Sequence, residues 1–197
     1  MSGKGNLLFP IFMKLDKLHT LVVGAGEVGL EKVGLMFKHA DNAVITIVAP
    51  EIKPEIVLLQ KQYPEQITLI QREFQEEDLI NKDLLIIATA DNDLNKTIHT
   101  IAKKHKVITN VADTPVLCDF YLSSVVKKGD LKIAISSNGK SPTLTKRMRE
   151  LLEDIVPDEI DDLLENLKQV RDQLKGDFEY KVKKLDEITS VFKNKKE

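Results

Sequence analysis

The chain has 197 residues, 42% of them hydrophobic and 30% charged, which is enough apolar material for a packed core and rules out bulk disorder. A net charge of -2 excludes a global basic field of the kind that gathers nucleic acid. The single cysteine, Cys118, excludes an internal disulfide and fits a reducing, cytoplasmic setting.

The first stretch, "MSGKGNLLFPIFMKLDKLHT", has an apolar patch broken by Pro10 and soon followed by charges. It reads as neither a signal peptide nor a membrane span, and no later run is long enough to span a bilayer. "HTLVVG" (19–24) predicts a buried strand, and "EVGLEKVGLMFKHA" (27–40) a helix with Val28, Val33, Met36, Phe37 and Ala40 near helical spacing. "AVITIVAP" (43–50) predicts a second strand, stopped by Pro50. "KPEIVLLQKQ" (53–62) predicts a short helix with Pro54 in its first turn. "QITLIQ" (66–71), "DLLIIATA" (83–90) and "KVITNVAD" (106–113) predict three more strands. Between the last two lies a helix over 91–105 that Asp91 or Asn92 can cap. Strands apolar throughout, alternating with helices, predict an α/β parallel sheet covered on both faces.

The pattern changes after Pro115. "DFYLSSVVKKGDLKIAISS" (119–137) holds two strand-like runs around the turn signal "KKGD". "SPTLTKRMRELLEDI" (141–155) predicts a helix capped by Ser141 with Pro142 at its first position, ended by Pro157. From 158 to 193, Ile160, Leu163, Leu164, Leu167, Val170, Leu174 and Phe178 keep helical spacing, with Gly176 dividing two helices and "KNKKE" as a loose tail. That stripe reads as core or dimer packing. The expected organisation is a Rossmann-type domain over 1–115, a strand-rich dimerisation segment over 116–150 and a small helical domain over 151–197.

The chemistry begins at "LVVGAGEVGL" (21–30), where Gly24, Gly26 and Gly29 follow a strand and open a helix. Gly24 permits the turn, Gly26 admits a pyrophosphate, and Gly29 lets helix and strand pack. The N–H groups of the first helical turn, at Glu27 and Val28, face the phosphates. The acid that holds the adenosine ribose is expected about 20 residues on. There the chain reads "VAPEI", so Pro50 and Glu51 mark the place, with Glu51 either a ribose ligand or a plain surface residue. No arginine stands nearby in sequence to favour a 2′-phosphate, so the expected cofactor is NAD. Thr89, at the end of the fourth strand, joins this list. His19, His39, His99 and His105 show no metal-ligand spacing, and Cys118 has no partner thiol and no activating base in sequence, so both read as packing or surface groups.

Three stretches, "LLFPIFMKLDKLHTLVVGAGEVGLEKV", "ITNVADTPVLCDFYLSSVV" and "LKIAISSNGKSPTLTKRMRELLE", taken in this order and spacing, resemble the precorrin-2 dehydrogenase family. That family includes the N-terminal half of siroheme synthase and its stand-alone relatives; the methyltransferase half is absent here. The resemblance implies oxidation of precorrin-2 to sirohydrochlorin with NAD, ferrous iron insertion in some members, and a homodimer. It also implies that Asp113, in "NVAD", is the key acid, where the residue-level alternative is a carboxylate capping the turn before Pro115. Asn110 in the same segment and Ser137 in "AISSNGKSP" are then substrate-side residues, with Lys140 and Arg149 available to an anionic macrocycle or simply part of a solvated basic face. Asn138 stands where the family has glycine, and asparagine tolerates the left-handed backbone the turn requires. A different class of reading, a non-catalytic NAD(H)-sensing Rossmann module, gives no reason for "NVAD" and "SSNGKSP" to occur together.

Overall fold

The computed structural model describes residues 5–189; the tail "KNKKE" lies outside them. The chain divides into two compact units, residues 1–123 and 124–197.

The first unit is a parallel sheet. Its strands are β1 (His19–Ala25), β2 (Val44–Ile52), β3 (Ile67–Ile70), β4 (Leu84–Ile87) and β5 (Ile108–Val111), in the order β3-β2-β1-β4-β5. Helices α1 (Glu27–His39), α2 (Pro54–Gln62) and α3 (Asn92–Lys104) connect them. The central strands β1 and β4 are nearly all buried, as uniformly apolar parallel strands must be. One face buries Val22, Ala25, Ile45, Ile47 and Ala49 against Val33, Met36 and Phe37 of α1 and Ile56 of α2. The other buries Leu21, Val23, Leu85 and Ile87 against Ile98 and Ala102 of α3. Asp91 caps α3, its carboxylate accepting from the N–H groups of Asp93 and Leu94 at 2.9 and 3.0 Å.

Pro50 does not stop the second strand: β2 runs on to Ile52. The β1–β2 register passes from Val23↔Val48 to Ala25↔Ile52, so Ala49, Pro50 and Glu51 sit in an irregularity opposite Gly24. A missing N–H costs the ladder nothing there. A short 3-10 turn over Glu76–Leu79, which periodicity did not predict, packs Leu79 beneath β4.

In the second unit β6 (Ser124–Lys128) and β7 (Leu131–Ile135) form an antiparallel hairpin around "KKGD", and α4 (Pro142–Ile155) packs on it. Ser141 caps α4, accepting from Leu144 N–H at 3.2 Å. Helices α5 (Ile160–Gln173) and α6 (Phe178–Ile188) divide at Gly176, whose φ is +136°. Their apolar stripe is half-buried, and Phe178 is exposed. The hairpin turn is tied to the start of α5. Lys128 bonds Asp158, and the N–H of Asp130 donates to Asp161 at 2.7 Å.

Candidate active site

Because the sheet is parallel, β1, β4 and β5 all leave it at one edge, and the strand order reverses at β1, where ligands bind in such sheets. The ladder continues past the strand ends: Ala88 N–H donates to Val23 O at 2.8 Å and Ala112 N–H to Ile87 O at 2.9 Å. Gly24, Thr89 and Asp113 each follow directly on this row.

The three glycines do three different things. Gly24 has φ +104°, and a Cβ there would lie 2.4 Å from Ala88 O. A Cβ on Gly29 would lie 2.2 Å from Gly24 O, so α1 meets the turn in direct backbone contact. Gly26 caps α1 with no side-chain bond, and a Cβ there would meet nothing within 4 Å. The first α1 bond runs from Leu30 N–H to Gly26 O at 2.9 Å, which leaves the N–H groups of Glu27, Val28 and Gly29 ahead of it. An uncapped helix start with open space in front of it fits a pyrophosphate.

At the exit of β2, Pro50 and Glu51 are exposed, and Glu51 has no hydrogen bond or ion pair among the described residues. Lys53 caps α2, its N–H donating to Ala25 O at 3.2 Å. Its ammonium bonds the Glu27 carboxylate, which raises the Lys53 pKa above the ordinary lysine value. At the exit of β3, Arg72 grips Asp78 with two bonds of 2.8 and 2.6 Å. That pair, with the N–H of Gln75, holds the Asp78 carboxyl below the usual carboxylate range. Sequence reasoning passed over Lys53, though its place two residues after Glu51 is a readable cue, and over Arg72. Thr89 turns its hydroxyl to Asn95, donating to Oδ1 at 2.5 Å, while Asn95 Nδ2 donates back to Thr89 O at 3.2 Å. Its side chain therefore fixes the loop to α3, and its backbone lies against Gly24.

Asp113 is exposed, with φ +56°. A left-handed aspartate is strained relative to ordinary backbone, and strain of this kind collects at functional positions. The turn is closed without the Asp113 carboxylate: Thr114 N–H donates to Val111 O at 3.3 Å, and Cys118 Sγ accepts from Val111 N–H at 3.3 Å. The carboxylate has no partner among the described residues, so it does not cap the turn. Asn110 is buried and donates through Nδ2 to Phe120 O at 2.8 Å, which leaves Oδ1 for any contact outward. Burial pushes the Cys118 thiol pKa up, as befits a packing group.

In the second unit, the serine loop turns through Asn138 at φ +55° and Gly139 at φ +74°. The asparagine thus adopts the left-handed backbone. Ser137 Oγ accepts from Ser141 N–H at 3.1 Å, and Lys140 is exposed and has no side-chain partner among the described residues. Arg149 is held by Glu153 on the next turn at 2.6 and 2.5 Å.

Comparison with known proteins adds to this geometry. A model described as "Putative NAD(P)-binding" matches residues 11–124, and one described as "Sirohaem biosynthesis protein central" matches residues 128–155. The chain belongs to the precorrin-2 dehydrogenase family. Its relatives include the siroheme synthases of Pseudoalteromonas atlantica, 38% identical over 86% of this chain, and of a Psychrobacter species, 37% identical over 85%. The chain spans 36% and 34% of those two proteins, about a third of their length. A solved structure titled "SirC, precorrin-2 dehydrogenase" superposes with a TM-score of 0.71 and 26% identity, covering 92% of this chain and 89% of that one. The expected Rossmann-type sheet with a small helical part, and a nicotinamide dinucleotide as cofactor, are borne out for this family member. Among the described residues no helix is long and apolar enough to cross a membrane.

Proposed function

We propose that the protein oxidises precorrin-2 to sirohydrochlorin with NAD, in siroheme biosynthesis, and that it also assists the insertion of ferrous iron. The observation that carries the reading is Asp113: a strained, exposed and unpartnered carboxylate on the same sheet edge as the glycine loop. Two strand spacings, about 10 Å, separate the β1 and β5 exits. The nicotinamide supplies a hydride acceptor when bound. Gly26 and the first N–H groups of α1 hold the pyrophosphate, Glu51 accepts from the adenosine ribose hydroxyls, and Thr89 keeps its loop closed against Gly24. Asp113 accepts the proton that leaves the macrocycle as the hydride departs. The same carboxylate takes protons from the pyrrole nitrogens as ferrous iron, a substrate here, enters the ring. Asn110, Ser137, Lys140 and Arg149 are the substrate-side residues, with Lys140 and Arg149 answering the substrate's carboxylates.

The protein acts as a cytoplasmic homodimer in this reading. The exposed apolar side chains of α4, Leu144 at 55%, Leu151 at 49% and Ile155 at 62%, support a second copy. Sedimentation equilibrium at micromolar concentration should show the dimer, and a monomer would remove this part of the reading.

The test of the activity is anaerobic incubation of the purified protein with enzymatically made precorrin-2, followed by absorbance. NAD-dependent formation of sirohydrochlorin is the expected result, with metal insertion above the spontaneous rate once ferrous ion is added. NAD binding without either reaction would leave a sensing module instead.

A further inference from the structure

Three charged groups stand where β2 and β3 leave the sheet, and the fold treats them differently. The Lys53 ammonium is bonded to Glu27 and lies 3.9 Å from Glu55. The Arg72 guanidinium is bonded twice to Asp78 and once to Glu73 O at 2.9 Å. The Glu51 carboxylate has no partner among the described residues. The alternation of β2 is broken at Ala49–Glu51, and beyond the break Ile52 packs with Ile45, Ile47 and Ala49 on the α1 face while Glu51 is exposed. Lys53 follows in extended backbone, φ -60° and ψ 141°, its N–H donating to Ala25 O at 3.2 Å and its ammonium bonded to Glu27 at the start of α1, so its charge lies beside the glycine loop. Both cations are thus neutralised by carboxylates, while the one acid beside the adenosine ribose stays bare.

We infer that the Glu27–Lys53 pair makes this site select NAD over NADP. The inference rests on reading the glycine loop as a dinucleotide site. A 2′-phosphate adds a charge of about -1.5 to -2 at neutral pH. In this subsite that charge meets Glu51 and finds Lys53 already engaged. An unphosphorylated ribose meets no such penalty and donates its hydroxyls to Glu51. Glu27 is therefore a positioning residue: it acts on specificity by holding Lys53.

The experiment is calorimetric titration of the full chain with NAD and, separately, NADP, with no tetrapyrrole present. The Glu27 side chain is 82% exposed, so Glu27→Gln leaves the fold intact. Releasing Lys53 should lower the ratio of the NADP to the NAD dissociation constant about five-fold, the scale of one exposed charge pair, through tighter NADP binding. Adding Lys53→Met to that variant should return the ratio to the wild-type value. An unchanged ratio in Glu27→Gln, or an equal change for both dinucleotides, overturns the inference while wild-type NAD binding still stands. If the wild-type chain binds neither dinucleotide, the reading of the site falls and takes the inference with it.

Discussion

Cys118 closes the turn that carries Asp113. Its sulfur accepts from Val111 N–H at 3.3 Å, and its thiol donates to Val111 O at 3.2 Å. The thiol stands in for a backbone partner at the exit of β5. The proposed acid is therefore aimed by a hydrogen-bonded sulfur five residues away in sequence.

Replacing Cys118 with alanine should cost about 1–2 kcal/mol by chemical denaturation, through the two lost sulfur hydrogen bonds to Val111 and a small void. The thiol titrates above its usual value because burial penalises the thiolate. Stability from this group is thus complete below the ordinary thiol pKa and falls as pH rises through the higher folded one. Native protein at pH 8 should react with iodoacetamide far more slowly than the same protein in urea. Equal rates would show an open thiol.

Asp113→Asn should leave NAD affinity unchanged by titration and lower turnover by about 10²–10⁴, the usual contribution of a proton-transferring group. Asparagine also accepts φ +56°, so the turn survives the exchange. Wild-type turnover in this variant would remove the acid from the mechanism.

The glycines should separate fold from cofactor. Gly26→Ala meets no atom within 4 Å, so the thermal midpoint should hold while NAD binding drops at least tenfold. Gly24→Ala and Gly29→Ala place a methyl 2.4 and 2.2 Å from carbonyl oxygens, and each should destabilise by about 2–4 kcal/mol. A cold, stable Gly24→Ala protein would show that the loop is looser than this geometry.

Acid should reveal the Arg72–Asp78 pair. The Asp78 side chain is 5% exposed and its pKa is lowered, first by the bonds from Arg72. Its stabilisation is present above the ordinary carboxylate pKa, near 4, and is lost as pH falls through the lower folded value. Asp78→Asn should cost about 2 kcal/mol at pH 7, less than a fully buried pair because Arg72 is partly exposed, and the gap from wild type should narrow as pH falls below the ordinary carboxylate pKa and through the lower folded one. Urea midpoints at pH 7 and in acid decide it, and a constant gap would contradict the assignment.

The parallel sheet was legible because strands such as "HTLVVG" and "DLLIIATA" are apolar throughout and lie between helical repeats. The caps at Asp91 and Ser141 follow from local chemistry, and so does the left-handed Asn138. Pro50 misled because a proline's effect depends on which N–H the neighbouring strand needs, and that is a matter of register. The pairings of Lys53 and Arg72 were invisible for a related reason, although the position of Lys53 was not. Their partners, Glu27 and Asp78, are brought near by the sheet and by a short turn with no periodic signature. Thr89 sits where it was expected, but only the fold shows its hydroxyl turned to Asn95.

Gly24 touches Ala88, 64 positions further along the chain. The cofactor loop therefore has no final shape while the ribosome is still making the first strands. Its wall arrives only when β4 does, and β1, the middle strand, waits for that neighbour too. Contacts this far apart in sequence form slowly. Until β4 is made, "HTLVVG" has no neighbour on that side, so the apolar middle of the sheet is among the last parts to close.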